Sequence, residues 1–307
     1  MTELDQYIDM VQKIKTLKKE RKAVILAHLY QPAEIQEIAD FTGDSFGLSQ
    51  KAAQTDAEVI VFCGVRFMAE TANILSPDKI TLLPAENAGC RMFDDTLSSQ
   101  LKNLLAQKPE ALVVSYVNTP ADVKAMSDIC CTSANAVAVV ESLPKTREII
   151  FVPDRNLGSY VEEQSGRKMS CWQGACPTHD NLTLAELDTC RKKHPKALVL
   201  MHPECTAELR NAADYVGSTT GIIKYAKASS NDEFIVATEC GVLYKLEEDC
   251  PNKKFYLAAA SLVCSNMKKT TLEKVYKSLL NMEPRIVVEE SIRKKAVVGL
   301  NRMLEIC

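Results

Sequence analysis

The sequence predicts an α/β protein of three similar αβα units with parallel sheets around a pseudo-threefold axis. Three observations carry this reading. First, apolar runs rich in Val, Leu and Ile recur at AVILAHLYQ (23–31), ALVVSYVNT (111–119) and ALVLMHPEC (197–205), the kind of run buried in a parallel sheet. Second, a further apolar run follows in each unit, at VIVFCGV (59–65), EIIFVPD (148–154) and EFIVATEC (233–240). Third, each unit closes with a segment ending in a cysteine: Cys90, Cys176 and Cys264 lie 62, 60 and 62 residues beyond His28, Tyr116 and His202. Strands alternating with helices give a sheet covered on both faces, and ligands bind beyond the carboxyl ends of its strands.

Taken in order, residues 3–22 read as an amphipathic helix leading into the first run. Each first run ends in polar residues two apart: His28 and Tyr30, Tyr116 and Asn118, His202 and Glu204. That spacing puts both members of a pair on one face of an extended strand end. Seventeen residues beyond the first member stand Ser45, Ser133 and Thr219, in the small-residue loops TGDSFGLS, CCTSANAV and VGSTTGII. Such loops read as helix N-caps, and a helix N-terminus favours anions. Segments 271–281 and about 288–305 read as two more helices that pad the first unit. The expected division is 1–89 plus 270–307, then 90–176, then 177–269, with Cys90 standing at the first boundary. Eleven glycines leave few flexible linkers, so the connections should be short.

The chain has 307 residues, 46% of them hydrophobic, enough for a substantial core and for more than one domain. A net charge of -3 and a pI of about 5.9 give no reason to expect nucleic acid. The basic runs at 18–22 and 293–295 read as solvated helix faces. The N-terminus has no apolar h-region and no apolar stretch reaches membrane-spanning length, so a cytoplasmic protein without membrane partners is expected. Twelve cysteines in a reducing compartment argue for metal or catalytic use of some of them rather than a disulfide framework. Cys171 lies five residues before Cys176, but the register favours Cys176; Cys130 and Cys131 read as packing residues.

Three thiolates serve a structural zinc only with a fourth ligand, for which His179 is the candidate. A [4Fe–4S] cluster normally takes four, so three leave one iron open as a Lewis acid. The wide spacing of the cysteines lacks the CxxCxxC pattern of electron-carrying ferredoxins. A zinc-dependent enzyme or zinc-stabilised binding module on the same cysteines is the competing reading.

At these residues the sequence resembles quinolinate synthases, the NadA family. The matching motifs include HLYQ (28–31), GDSFGLS (43–49), CGVRFMAETA (63–72), PAENAGCRM (84–92), SYVNT (115–119), CCTSANA (130–136), PDRNLG (153–158), WQGACPTH (172–179), HPEC (202–205), GSTTGI (217–222) and CSNMKKTT (264–271). The resemblance implies three αβα domains around a pseudo-threefold axis and one [4Fe–4S] cluster on Cys90, Cys176 and Cys264. It also implies a transferase of NAD biosynthesis that condenses iminoaspartate with dihydroxyacetone phosphate, releasing phosphate and water, and functional coupling to an iminoaspartate-producing enzyme. Carried onto this chain, the substrate contacts are His28, Tyr30, Ser45, Tyr116, Asn118, Ser133, His179, His202, Glu204 and Thr219. Glu204 and Tyr30 are expected in acid/base roles, and His202 and His28 as groups that polarise a carbonyl or hold a carboxylate. Some family members carry CxxCxxC around the third ligand; Ala258 and Ser261 stand at those positions here, which removes the case for a regulatory disulfide.

Overall fold

Each unit repeats one strand order. In the first, β1 (Ala23–His28), β2 (Phe41–Gly43), β3 (Val59–Cys63) and β4 (Ile80–Leu82) lie in the order β2-β1-β3-β4, all parallel. The second places β5 (Leu112–Tyr116), β6 (Ile129–Cys131), β7 (Ile149–Val152) and β8 (Ser170–Cys171) in the order β6-β5-β7-β8. The third places β9 (Leu198–Met201), β10 (Tyr215–Val216), β11 (Glu233–Ala237) and β12 (Lys254–Leu257) in the order β10-β9-β11-β12. The computed structural model describes residues 2–306, so Cys307 lies outside the described residues.

The central strands are the apolar runs. In β3, β5 and β7 every residue is buried, as befits strands covered on both faces. In each unit the first strand has its successors on opposite sides, so the chain reverses its direction of winding there, and a crevice opens at that strand's carboxyl end. A repeated carboxylate fixes these strands. Asp40, Asp128 and Asp214 each accept from a strand N–H fifteen residues back, at Ile25 (2.8 Å), Val113 (2.8 Å) and Val199 (2.7 Å). Their own N–H groups return a bond to the carbonyls of the same three residues. A charge-assisted bond of this kind is worth roughly 1.5–3 kcal/mol.

One difference from the sequence reading has a physical cause. The small-residue loops contain a strand of two or three residues at the sheet edge, β2, β6 or β10, too short to leave a periodic signal. The cysteines that close the units stand on loops beyond the fourth strands, β4, β8 and β12. A short fifth strand, β13 (Arg285–Ile286), adds antiparallel to β4 in the first sheet.

The helix Glu3–Glu20 packs with the helix Leu272–Asn281 on the first sheet, burying Ile14, Val275 and Leu279 against Ile25 and Val61. The last helix, Glu290–Glu305, meets the first unit at the helix Arg66–Leu75 but packs chiefly on the second unit. It buries Ala296, Leu300 and Met303 against Ile129 and Cys130 of the second, and Asn135 Nδ2 donates to the Met303 carbonyl at 3.1 Å. Cys130 and Cys131 are fully buried packing residues in that cluster. Among the described residues, no helix is long and apolar enough to cross a membrane.

Candidate active site

Beyond the carboxyl ends of β1, β5 and β9 the three units face one cavity of about 220 Å³. The structure brings every predicted site residue to it: His28, Tyr30, Ser45, Tyr116, Asn118, Ser133, His179, His202, Glu204 and Thr219, together with Cys90, Cys176 and Cys264. Cys171 is elsewhere, its sulfur packed against Gly158 beneath β8.

The strand-end spacing of two sets the histidine tautomers. Tyr30 N–H donates to His28 Nδ1 at 3.1 Å, and Glu204 N–H approaches His202 Nδ1 at 3.4 Å. With Nδ1 accepting, each neutral ring carries its proton on Nε2. Burial keeps both rings neutral, lowering His28 to about 4 and His202 to about 3.

Glu204 is 3% exposed. Burial alone would raise its carboxyl, but His202 and His179, with bonds from His179 and Tyr116, hold it well below the usual range. His179 Nδ1 lies 2.8 Å from Glu204 Oε2 and 3.2 Å from Cys176 Sγ. Its other nitrogen meets Thr238 Oγ1 at 2.9 Å, and Thr238 meets the Tyr30 hydroxyl at 2.8 Å. The carboxylate requires the proton on His179 Nδ1, so Nε2 accepts from Thr238, and Thr238 accepts from Tyr30. One directed chain thus runs Tyr30, Thr238, His179, Glu204, across the first and third sheets. Gly241 makes the close seating of Tyr30 possible: a Cβ there would fall 2.7 Å from the Tyr30 carbonyl carbon.

Two of the small-residue loops hold side-chain helix caps. Asp44 and Ser218 are the caps, accepting from Gly47 N–H (3.0 Å) and Gly221 N–H (3.1 Å). Ser45 and Thr219 are instead the first helical residues and line the cavity, with Thr219 Oγ1 3.3 Å from the Tyr30 hydroxyl. Ser133 stands in the turn before the helix Ala136–Ser142, where Asn135 Oδ1 accepts from Thr132 N–H. Asn118 Oδ1 is buried without a hydrogen-bond partner at the cavity, an acceptor awaiting a donor.

Cys90, Cys176 and Cys264 line the same cavity. None is in a disulfide, and each comes from a different loop. Burial pushes the Cys90 thiol up to about 12 and raises Cys176 and Cys264, so binding a metal here would release protons. Three soft donors around one space suit iron–sulfur or zinc chemistry. Separation bears on a zinc held by all three cysteines with His179. Bonds of about 2.0–2.3 Å keep all donors of one zinc within roughly 4.6 Å of each other. Among the described residues, the group whose donor atoms all lie within 4.8 Å is Cys176, His179 and Glu204, which excludes Cys90 and Cys264. A cluster binds each thiolate through a different iron, and so tolerates the wider triangle.

Sequence reasoning missed Thr238, Asp154 and Glu239. Thr238 follows β11 where Gly64 and Pro153 follow β3 and β7, so a search for shared features passes over it.

Fold and site together define a three-sheet α/β enzyme whose cavity holds three thiols together with His28, His179, His202 and Glu204. The family model described as "Quinolinate synthetase A protein" matches residues 12–305. The chain is 53% identical over 299 residues to the quinolinate synthase of Alkaliphilus metalliredigens, covering 97% of this chain and 98% of that protein. It is 51% identical over 296 residues to that of Desulforudis audaxviator (96% and 98%), and 49% identical over 296 residues to that of Clostridioides difficile (96% and 97%). The chain belongs to the quinolinate synthase family.

Proposed function

We propose that the chain condenses iminoaspartate with dihydroxyacetone phosphate to quinolinate, releasing phosphate and water, with a [4Fe–4S] cluster held by Cys90, Cys176 and Cys264. The observation that carries this reading is the meeting of three thiols, from three separate loops, in the one cavity that also holds Glu204 and Tyr30. When bound, the cluster supplies a Lewis-acidic iron that assists loss of water. The zinc reading with His179 is disfavoured by the separation of the cysteines.

The remaining chemistry falls to side chains. His28 and His202, neutral and protonated on Nε2, donate to a carboxylate or a carbonyl oxygen without adding net charge. Tyr116 and Asn118 orient the acid groups, and the open Asn118 Oδ1 accepts from a substrate N–H or O–H. Ser45 and Thr219, in the first turns of ten-residue helices, offer hydroxyls and unpaired backbone N–H groups to phosphate, with Ser133 beside them. Glu204 takes a proton once substrate displaces one of its donors; Tyr30 gives one up. The Thr238–His179 chain links the two positions, so the proton shifts of condensation and dehydration exchange inside the site.

The test is direct. Protein purified without oxygen is given both substrates, and quinolinate and phosphate are measured. Equal amounts of the two products support the proposal; iron-loaded protein that forms neither refutes it.

A further inference from the structure

Two of the three cysteine loops are tied to a buried carboxylate, and the third is not. Asp154 and Glu239 are both fully buried. They occupy related places, each just beyond the third strand of its unit, β7 or β11. Asp154 Oδ2 accepts from Cys176 N–H at 3.2 Å, while its Oδ1 caps the helix Arg155–Ser165 through Leu157 N–H at 2.8 Å. Glu239 Oε1 accepts from Cys264 N–H at 3.0 Å, while its Oε2 accepts from Gly241 N–H at 2.7 Å. Lys268 adds an ion pair to Glu239 at 2.9 Å and reaches the Tyr30 carbonyl at 2.6 Å.

The corresponding residue of the first unit is Val65. There the Cys90 loop is held by main chain instead, through Arg66 N–H to the Ala88 carbonyl at 2.8 Å. The second unit uses both devices. Arg155 N–H donates to the Gly174 carbonyl at 2.8 Å, and a Cβ at Gly174 would lie 2.5 Å from the Pro153 and Met92 carbonyl oxygens.

We propose that Asp154 and Glu239 are positioning residues for the cluster: each anchors the main chain of one ligand cysteine, so that the Cys176 and Cys264 sulfurs are set at the axis before iron arrives. This rests on the reading of the three cysteines as cluster ligands. Each acid spans two backbone donors with its two oxygens, one on the cysteine and one on the neighbouring scaffold. Neither Asn nor Gln can do this. Whichever way the amide is turned, one N–H faces an NH₂ group and loses its acceptor. The loop then samples geometries in which the sulfur leaves its place, and a ligand held less firmly is exchanged more readily. Partners of this kind behind metal ligands are typically worth ten- to hundredfold in metal retention.

The experiment compares Asp154→Asn, Glu239→Gln and a control, Asp128→Asn, with the wild type, all purified without oxygen. Asp128 also spends a carboxylate oxygen on a backbone N–H, that of Val113, but does not line the cavity. Iron and sulfide are counted, iron loss to a chelator is timed, the EPR signal of the reduced cluster is recorded, and iron-free melting temperatures are measured. Asp154→Asn and Glu239→Gln are expected to lose iron at least tenfold faster than wild type and to shift the EPR signal. Asp128→Asn is expected to lower the melting temperature and leave both readouts unchanged. The two acids lie on different units, so a variant that fails to fold leaves the other as the test. Wild-type rates and spectra in the variants, or equal acceleration in Asp128→Asn, overturn the proposal alone. Wild-type protein without iron overturns the ligand reading together with it.

Discussion

Thr238→Val removes one hydroxyl from the middle of the chain that joins Tyr30 to His179. Thr238 is fully buried, and valine copies its shape, so the loss is polar rather than steric. Two bonds go, at 2.8 Å to Tyr30 and 2.9 Å to His179 Nε2. Tyr30 keeps a second partner in Thr219 at 3.3 Å, so most of the damage falls on the histidine. A buried nitrogen left without its donor costs about 1–3 kcal/mol. If that energy is felt in the reaction barrier, at about 1.4 kcal/mol per factor of ten, kcat falls roughly ten- to hundredfold. The assay is quinolinate formation at saturating substrates, normalised to iron content, with Thr238→Ser as the variant that keeps the hydroxyl. Thr238→Ser should stay near the wild type. A Thr238→Val protein with full iron and kcat within twofold of wild type refutes the chain as a participant.

Glu204→Gln should abolish turnover while leaving the cluster absorption intact; retained activity removes Glu204 from the acid/base role. Gly241→Ala drives a Cβ to 2.7–2.8 Å from the main chain of Leu29 and Tyr30, which cannot yield, so stability should fall by about 1–3 kcal/mol and kcat with it; chemical denaturation and rate assays check both. Acid should destabilise the iron-free protein. The unfolded chain protonates histidine below about 6.5, whereas His28 and His202 resist until about 4 and 3, so their contribution is full above 6.5 and is lost as pH falls through those values. Asp154, pushed up to about 8 chiefly by burial, works in the opposite sense, its contribution fading as pH rises through 8. Two histidines against one carboxyl leave a net loss between pH 6.5 and 4, which melting temperatures across that range would register and which His28→Asn with His202→Asn should remove, leaving the opposite slope of Asp154.

The repeat made the centre of the fold legible. Buried parallel strands need long apolar runs, and three such runs with polar ends two apart place His28, Tyr116 and His202 at equivalent strand ends in space as well as in sequence. The same logic located the three cysteines, because a threefold arrangement carries equal offsets to equivalent places. What escaped were features that differ between units. Thr238 has glycine and proline as its counterparts, and the acid pair Asp154 and Glu239 has valine. The principal partner of the helix Glu290–Glu305 escaped for another reason: its amphipathic pattern shows that one face is buried without saying against which unit. The loops were legible as caps but the capping residue was not, because Asp44 and Ser218 are as good N-caps as the hydroxyl residues that follow them. Asp40, Asp128 and Asp214 did leave a signal, each twelve residues beyond the first strand-end residue, and a reading confined to the strand ends passed over it.

The central claim is that Cys90, Cys176 and Cys264, and not Cys171, carry the iron. Iron and sulfide analysis of protein purified without oxygen, for the wild type and for alanine at each of these four positions, tests it most directly. The account predicts about four irons and four sulfides per chain in the wild type and in Cys171→Ala, and loss of the cluster in each of the other three. One zinc per chain, or a cluster that survives Cys90→Ala or Cys264→Ala but not Cys171→Ala, would contradict it.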